Sequence, residues 1–219
     1  MALNLVGGSS QRAVATFGAA TAYPCSFWLQ CMHNSVANNA SSLSYSYSSA
    51  SERRIEVEMR GDIAGDPVRA RIGNQTGTVT AVASSNSYVA DVWQRVGIRC
   101  NSTSDCSVFL NGIKTTAGSQ AAFPASTPNQ LNIGSGASGG SYADFITGGA
   151  AMVAVWPGVG LTDDEFESLN KGYSPAKVRP QSLEFYGSLT RNMIDIINGA
   201  GITLINSPTV KDHPRSYGF

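Results

Sequence analysis

The chain has 219 residues, of which 42% are hydrophobic and 14% are charged, and its 15 basic residues equal its 15 acidic residues in number. A chain of this length can bury about 70 to 75% of the surface that its unfolded form exposes, so it can form one stable domain without a disulfide or a metal. Nucleic-acid binding normally shows as clustered Lys and Arg, and the scattered basic residues here exclude nucleic acid as an expected partner.

The N-terminal stretch, residues 1–20, lacks the features of an export signal. Arg12 is its only charged residue, and the polar segment Gly7–Gln11 interrupts its apolar residues. A secretory signal needs a basic start followed by a continuous apolar run. We therefore expect the protein to remain in a reducing compartment, where cysteines persist as thiols.

The four cysteines form two pairs of equal spacing, and neither pair has the spacing of a zinc site. If the segment that holds Cys25 and Cys31 is an extended strand, the two residues lie about 20 Å apart and cannot bond to each other. The segment Asn101–Asp105 has the composition of a hairpin loop, which could place Cys100 opposite Cys106. We expect thiols, and the sequence leaves open whether this second pair is bonded.

The clearest alternation of apolar and charged residues lies in Arg54–Arg60 and continues in Val68–Ile72 after the turn-rich loop Gly61–Asp66. This pattern predicts two strands with one buried face and one solvent-exposed face. Exposed cross-strand ion pairs contribute only about 0.2 to 1 kcal/mol each. The antiparallel register that follows predicts two such pairs: Glu58 with Arg69, and Glu56 with Arg71.

Short alternating or apolar segments of the same kind recur along the whole chain and predict an all-β protein. The further strand candidates are Arg12–Phe17, Ser26–His33, Leu43–Ser48, Thr78–Ala83, Trp93–Cys100, Ser107–Leu110, Gln130–Ile133, Ala150–Trp156, Leu183–Tyr186 and Ile202–Ile205. Ten or more short strands are typical of an antiparallel β-sandwich. The dipeptide Asn111-Gly112 predicts a type I′ hairpin turn, because both of its residues tolerate a positive φ.

Two glycine-containing stretches need separate interpretation. The stretch Phe145–Thr162 is apolar and free of charge, but it holds four glycines and Pro157, so we expect a buried strand and no membrane span. The stretch Gly134–Gly139 matches the dinucleotide-binding fingerprint. Since the following residues are Gly-rich and unlike a helix, we expect only a surface loop over Gly134–Ser141.

One short helix is predicted near 163–171. Thr162 and Glu165 have the spacing of a capping box, and Leu161 and Phe166 occupy the two positions of a hydrophobic staple around it. The helix should therefore begin after Thr162 and extend for about two to three turns.

The order of these elements resembles the laminin-G-like jelly roll of the concanavalin A-like lectin and glucanase superfamily. The segments that carry the resemblance are Phe27-Trp28, Trp93 with the strand that it opens, Val108–Gly112, Leu131–Gly134, Ala151–Trp156 and Leu161–Phe166. The resemblance covers residues 1–178 and implies an antiparallel β-sandwich with one short helix. Residues 179–219 are similar to tails of bacteriophage-encoded members, many of which are virion components. We expect one β-sandwich domain over 1–219, in which 179–219 is a C-terminal extension that can add strands and end in a contact tail.

Catalysis is not expected. Hydrolases of this superfamily carry a Glu-x-Asp-x-x-Glu strand, and Glu56-Val57-Glu58 lacks the third acid. Arginines available to both carboxylates favour their charged form on the protein surface. His33 and His213 occur in no nucleophile or zinc motif, and His33 at a strand end is interpreted as a packing or hydrogen-bonding residue. We predict no enzyme, no catalytic residue and no cofactor.

Several aromatic residues are candidates for contact with a ligand. Trp28, Trp93 and Trp156 could form a platform for sugar stacking, but each lies within or at the end of an apolar strand, so we expect them in the core. Tyr45 and Tyr47 share one face of a strand whose other face carries serines. These two tyrosines are the better candidates for surface contacts.

Calcium is a candidate ligand because related lectin-like domains bind this ion through Asp, Asn and backbone oxygens at the rim of the sandwich. Asp62 and Asp66 in one loop are candidates, as is Asp144. No close array of alternating aspartates exists, so we interpret these residues as solvated turn residues and predict no metal site.

Our first functional hypothesis is a non-enzymatic virion structural protein, a capsid decoration or cement protein assembled in the host cytoplasm. Its partners would be the major capsid protein or another virion protein, together with further copies of itself in a homo-oligomer. The tail Lys211–Phe219 would act as a clasp through four residues: His213, Arg215, Tyr217 and Phe219. The alternative hypothesis is a glycan-binding, lectin-like adhesin, with calcium dependence left open.

Overall fold

Two antiparallel sheets pack face to face in the computed structural model of the chain. The residues that the structure describes are 2–16, 23–46, 54–73, 79–117, 130–138, 141–190 and 193–212. The strands are, in chain order, β1 (Ala2–Leu5), β2 (Arg12–Thr16), β3 (Cys25–His33), β4 (Asn39–Ser46), β5 (Arg54–Arg60), β6 (Pro67–Gly73), β7 (Val79–Ser87), β8 (Gln94–Ser102), β9 (Asp105–Leu110), β10 (Ile113–Ala117), β11 (Gln130–Ile133), β12 (Gly136–Ser138), β13 (Ser141–Ala143), β14 (Gly148–Pro157), β15 (Phe185–Gly187), β16 (Ile202–Ile205) and β17 (Thr209–Lys211). The predicted all-β sandwich is therefore confirmed.

The eight-stranded sheet, which we call the back sheet, has the order β10-β9-β8-β3-β14-β1-β17, and β15 also pairs with β14. The seven-stranded sheet, the front sheet, has the order β16-β2-β11-β4-β5-β6-β7. A third, two-stranded sheet consists of β12 and β13. Each sheet combines a run of consecutive strands, β8 to β10 in the back sheet and β4 to β7 in the front sheet, with strands from distant parts of the sequence, as in a jelly roll.

The core between the front and back sheets follows from the period of two in the strands. In β5 the residues Ile55, Val57 and Met59 are buried and belong to this core. In the neighbouring β6 the buried core residues are Val68, Ala70 and Ile72, at the same spacing of two. Alternate side chains of each strand point to the opposite face, so the front sheet also has an outer face with its own set of side chains.

The outer face of the back sheet is covered by the single α-helix of the described residues, α1 (Asp163–Asn170), and by the chain that follows it. A second apolar cluster lies there, centred on Trp28, Trp156 and Phe166. The Phe166 ring stacks on Phe109 of β9 with 4.1 Å between ring centroids. Trp28 and Trp156 are thus buried as expected, although they lie under the helix and not between the sheets.

Helix α1 begins as its sequence predicts. The Thr162 side chain accepts a hydrogen bond from the Glu165 backbone N–H at 3.2 Å, and Glu165 accepts from the Thr162 backbone N–H at 2.7 Å. This reciprocal pair is the capping box, and it satisfies backbone donors that a helix N-terminus leaves unpaired. Arg99 of β8 ties the same end of the helix to the back sheet through Asp163 at 2.7 Å.

Two sequence interpretations, one of a turn and one of a strand, are confirmed by the backbone. Asn111 and Gly112 both have positive φ, 52° and 87°, as a type I′ turn requires. The apolar stretch after Phe145 forms β14, a buried strand in the interior of the back sheet. Of the helices in the described residues, none has the length and apolar composition needed to cross a membrane.

The cysteine expectation is wrong for one pair. Strands β8 and β9 place Cys100 directly opposite Cys106, as the predicted hairpin loop allows, and the two form a disulfide with a Cα–Cα distance of 4.1 Å. Cys25 and Cys31 remain thiols six residues apart along extended β3, so their predicted inability to bond is confirmed. The lack of an export signal predicted a reducing compartment and therefore four thiols. The disulfide instead follows from the register of β8 and β9, which places Cys100 opposite Cys106.

The predicted loop over Gly134–Ser141 is also corrected. The structure forms the hairpin β12–β13 there, with its own register of Gly136 opposite Ala143. No helix follows the glycines, so the dinucleotide fingerprint has no helix N-terminus to present to a pyrophosphate. Small residues obscured the alternation that marks most of the other strands.

Candidate functional site

The residues first proposed for binding fall largely beyond what the structure describes. His213, Arg215, Tyr217 and Phe219 of the tail lie outside the described residues, and so does Tyr47. The backbone of Tyr45 belongs to β4, where its register partners are Ile55 and Leu131. The side chain of Tyr45 lies outside the description.

The outer face of the front sheet holds a different set of polar residues. Asn132, Ser44, Glu56 and Arg71 are consecutive register partners across β11, β4, β5 and β6. We call these four residues the polar row. Asn132, Ser44 and Glu56 are each 0% exposed, although they lie on the face opposite the apolar core.

Glu58 lies two residues beyond Glu56 on the same face and contacts three guanidinium groups. Arg69 binds the Oε2 atom of Glu58 through its Nη2, and Arg71 Nη1 lies 3.6 Å from Oε1. Arg60 Nη1 lies 3.7 Å from Oε2. Arg71 also reaches Oε2 of Glu56 at 3.5 Å, so the carboxylates and arginines form one connected network.

The predicted register of this hairpin is confirmed, but the predicted exposure of its ion pairs is wrong. The structure pairs Glu58 with Arg69 and Glu56 with Arg71. The Glu58 side chain is only 1% exposed, however, and that of Arg69 is 24% exposed. Sequence alternation reports which residues share a face, whereas it does not report whether another segment covers that face.

The hairpin β12–β13 is a cover that sequence reasoning missed. Strand β12 packs on β4 and reaches β5. Tyr142 of β13 holds this hairpin to the sheet, since Gln130 Nε2 donates a hydrogen bond to its hydroxyl at 3.0 Å. The Arg12 guanidinium lies 3.7 Å from the centroid of the Tyr142 ring.

Arg12, Gln130 and Tyr142 are all partly exposed, and we call these three residues the rim. Gln130 and Asn132 are two residues apart on β11, and Val14, the β2 residue paired with Asn132, is two residues from Arg12. The Tyr142 side chain contacts both Arg12 and Gln130, so it lies beside Asn132 along the strands. The rim borders the polar row at Asn132, and Arg71 is the opposite end of the row.

The polar row retains hydrogen-bonding capacity that the described residues do not use. Ser44 Oγ is buried and has no hydrogen-bond partner among the described residues. The same is true of Ser135 Oγ, which lies on the β11–β12 connection shortly after Asn132. A buried polar atom without a partner costs free energy, so native proteins usually satisfy such atoms with water or a ligand. Hydroxyl, amide, carboxylate and guanidinium groups in one place can hydrogen-bond a polyhydroxylated ligand.

The calcium candidates have other roles where the structure shows contacts. Asp62 forms a two-point pair with Arg60, with distances of 2.6 Å to Nε and 2.7 Å to Nη2. The hydrogen bond from Arg60 lowers the pKa of Asp62. Within the ranges that the structure describes, no three side chains of the metal-ligating types cluster together.

The remaining candidates are structural. His33 is 4% exposed, and its Nδ1 atom lies 3.0 Å from the carbonyl oxygen of Thr147, which agrees with its interpretation as a packing and hydrogen-bonding residue. Trp93 differs from the other two tryptophans because it is only partly buried. A Cβ added at Gly149 would lie 2.6 Å from the Trp93 ring, so that glycine allows the ring to lie directly on β14.

Neither protein-family models nor curated proteins match this sequence. Solved structures do share its fold. The CBM40 module of Ruminococcus gnavus IT-sialidase bound to α2,3-sialyllactose aligns with a TM-score of 0.56 and 16% identity, over 68% of this chain and 84% of that chain.

Two further structures align over more of the chain. The native heptameric SAP-like pentraxin of Limulus polyphemus gives a TM-score of 0.63 at 9% identity, covering 91% of this chain and 87% of that one. A Bacteroides ovatus protein whose suggested role is carbohydrate binding gives 0.66 at 13% identity, over 98% of this chain and 60% of that one. At these identities the likeness establishes the jelly-roll fold of concanavalin A-like proteins.

Proposed function

We propose that this protein is a glycan-binding module whose ligand lies on the outer face of the front sheet, against the rim. The observation that carries the proposal is the rim itself. Arg12, Gln130 and Tyr142 are partly exposed side by side, and together they offer hydrogen bonds and an aromatic ring. Those are the groups that fix the orientation of a polar ligand in a site.

The structural neighbours support this function over the capsid-decoration hypothesis. One of them is a carbohydrate-binding module with a bound oligosaccharide, and another has carbohydrate binding as its suggested role. They share the fold with this chain at low identity, so they support the class of ligand and not the identity of the contact residues.

The proposal includes no reaction. Glu56 and Glu58 are each engaged by arginine side chains. A glycosidase instead needs one carboxyl group that holds a proton for the leaving oxygen. The two carboxylates serve here to orient the arginines around them.

The capsid-decoration hypothesis stays a prediction. Its clasp residues lie in 213–219, outside the described residues, and its partners and virion location have no support in the structural comparisons. Deletion of 211–219 tests the clasp, which is contradicted if oligomer size and incorporation into particles do not change. The finer resemblance to laminin-G-like and phage-encoded members likewise stays a prediction.

A glycan array probed with the full chain tests the proposed function, with two variants as a matched pair. Tyr142→Ala removes the aromatic ring of the rim, whereas Tyr173→Ala removes an exposed ring beside α1 on the opposite side of the sandwich. We expect the wild type and Tyr173→Ala to bind the same glycans, and Tyr142→Ala to weaken binding about tenfold or more. A chelator should leave binding unchanged.

Two outcomes would contradict the proposal. One is an array on which the wild type binds no glycan above background. The other is equal binding by Tyr142→Ala and Tyr173→Ala while thermal unfolding shows both variants to be folded. The second result would leave glycan binding intact but would place it away from the rim.

A further inference from the structure

Arg12 differs in its counter-charge from Arg60, Arg69 and Arg71, which lie on the same outer face of the front sheet. Arg69 and Arg71 each contact Glu58, and Arg60 pairs with Asp62. Among the residues that the structure describes, no carboxylate contacts Arg12. Its recorded interaction is with the uncharged ring of Tyr142, so its positive charge is not neutralised within the site.

The hydrogen-bonding state of Arg12 agrees with this difference. Its Nε atom is buried and has no acceptor among the described residues. The residue as a whole is partly exposed, so a ligand can reach it from solvent. A guanidinium group carries five N–H donors and no acceptor, so Arg12 can donate hydrogen bonds to an acceptor that approaches it from solvent.

Tyr142 fixes the orientation in which Arg12 meets a ligand. The ring lies against the guanidinium with 3.7 Å from Cζ to the ring centroid, and the hydrogen bond from Gln130 holds the tyrosine hydroxyl in place. Stacking occupies the flat face of a guanidinium and leaves its N–H edge available. Two parallel N–H donors on that edge match the two oxygens of a planar carboxylate.

From this juxtaposition we infer that the ligand is an acidic glycan whose carboxylate binds Arg12. The inference rests on the proposed function and adds the chemical class of the glycan. A neutral sugar can be bound through the hydrogen bonds and the aromatic ring of the rim. An arginine without a counter-charge adds electrostatic complementarity to a ligand that brings a negative charge. A sulfate ester is the other common source of that charge, but it spreads one charge over three oxygens and is a weaker hydrogen-bond acceptor than a carboxylate.

Three ligands that differ in one group test the inference by calorimetry on the full chain. Lactose is neutral, α2,3-sialyllactose adds a sugar with a carboxylate, and 3′-sulfolactose adds a sulfate. We expect sialyllactose to bind about tenfold or more tighter than lactose and tighter than sulfolactose, with an affinity that falls as salt is added. Among glycans on the array, those that bind should carry carboxylates.

Two substitutions of Arg12 separate charge from geometry. Arg12→Gln removes the charge and should reduce sialyllactose binding by a larger factor than it reduces lactose binding. Arg12→Lys keeps the charge without the planar fork and should give intermediate affinity. Arg179→Gln is the matched control, because Arg179 pairs with Glu165 of α1 on the other side of the sandwich.

The outcomes distinguish this inference from the proposed function. Equal affinity for lactose and sialyllactose, or an equal loss of both in Arg12→Gln, overturns the inference and leaves glycan binding in place. Sulfolactose binding as tight as sialyllactose overturns the carboxylate assignment. Binding to no glycan at all overturns the proposed function as well. The comparison of the three ligands on the wild type decides the matter even if Arg12→Gln does not fold.

Discussion

Glu58 shows how much a single residue of the outer face depends on its neighbours. Its carboxylate is 1% exposed and has three guanidinium groups around it. Transfer of a charge from water into a protein interior is costly, and nearby opposite charges repay that cost only when the contacts are close. Removal of the carboxylate charge would leave the arginines without this compensation.

We predict that Glu58→Gln lowers the free energy of unfolding by about 3 kcal/mol, because one partner of a buried ion pair is lost. Asp62→Asn is the control, since Asp62 pairs with Arg60 but is 40% exposed. That exposed pair should contribute less than about 1 kcal/mol. Urea denaturation of both variants measures the difference, and equal small losses would mean that the network does not stabilise the fold.

His33 is a second residue whose burial has a measurable consequence. Burial lowers the pKa of His33 below its ordinary value of 6.5, while the hydrogen bond with the Thr147 carbonyl and the charge of Asp91 act in the opposite direction. The unfolded chain therefore binds a proton at a higher pH than the folded chain. The contribution of neutral His33 to the free energy of unfolding is fully present above pH 6.5. It is lost as the pH falls below that value toward the pKa of His33 in the folded protein.

We predict that the midpoint of urea unfolding decreases between about pH 7 and 5 in the wild type, and decreases less in His33→Asn. Asparagine can donate to the Thr147 carbonyl as Nδ1 of histidine does, but it does not titrate. Other ionisable groups are common to both proteins, so their contribution cancels in the comparison. Parallel pH profiles would show that His33 does not control stability in this range.

At the scale of elements, the contact between α1 and the back sheet depends on a glycine. A Cβ added at Gly97 of β8 would lie 2.5 Å from the Phe166 ring, which is closer than real side chains approach. The ring stacks on Phe109 at this point and fills the space above the strand. Gly97 is therefore required by the close approach of the helix.

We predict that Gly97→Ala lowers stability by about 1 to 3 kcal/mol, because the added methyl group forces Phe166 to shift within a packed cluster. Gly201→Ala is the matched control, since a Cβ there would meet no atom within 4 Å. Thermal unfolding compares the two variants. If Gly97→Ala unfolds at the same temperature as Gly201→Ala, the helix tolerates a shift that the structure does not indicate.

The elements that sequence predicted best are those with a local physical cause. The alternation in β5 and β6 gave their register, the capping box gave the start of α1, and Asn111-Gly112 gave the hairpin turn. Each of these depends on neighbours in sequence or on one partner strand. Helix and turn positions follow from hydrogen bonds and φ preferences within a few residues.

The elements of the candidate site were less predictable because they depend on contacts between distant segments. Arg12 and Tyr142 meet although 130 positions separate them in the sequence, and β12–β13 is rich in small residues without a clear apolar alternation. The polar residues Gln130 and Asn132 alternate with apolar ones and could be assigned to an outer face. No pattern in the sequence indicated that the hairpin would cover their neighbours.

At the scale of the whole molecule, the two sheets have different outer faces. The back sheet is closed by α1 and an apolar cluster that includes Trp28 and Trp156. The front sheet instead carries the polar row, the arginine network and the rim. Apolar contacts close the first face, while the second presents the partly exposed rim, where we propose that the glycan binds.

The most direct test of this account is a titration of the isotope-labelled protein with a glycan from the array, followed by backbone amide chemical shifts. We predict that the largest shift changes occur in β2, β11 and β13, around Arg12, Gln130 and Tyr142, and that amides of α1 change little. Shift changes concentrated at α1 and Tyr173, or no changes at saturating glycan, would contradict the assignment of the binding site to the outer face of the front sheet.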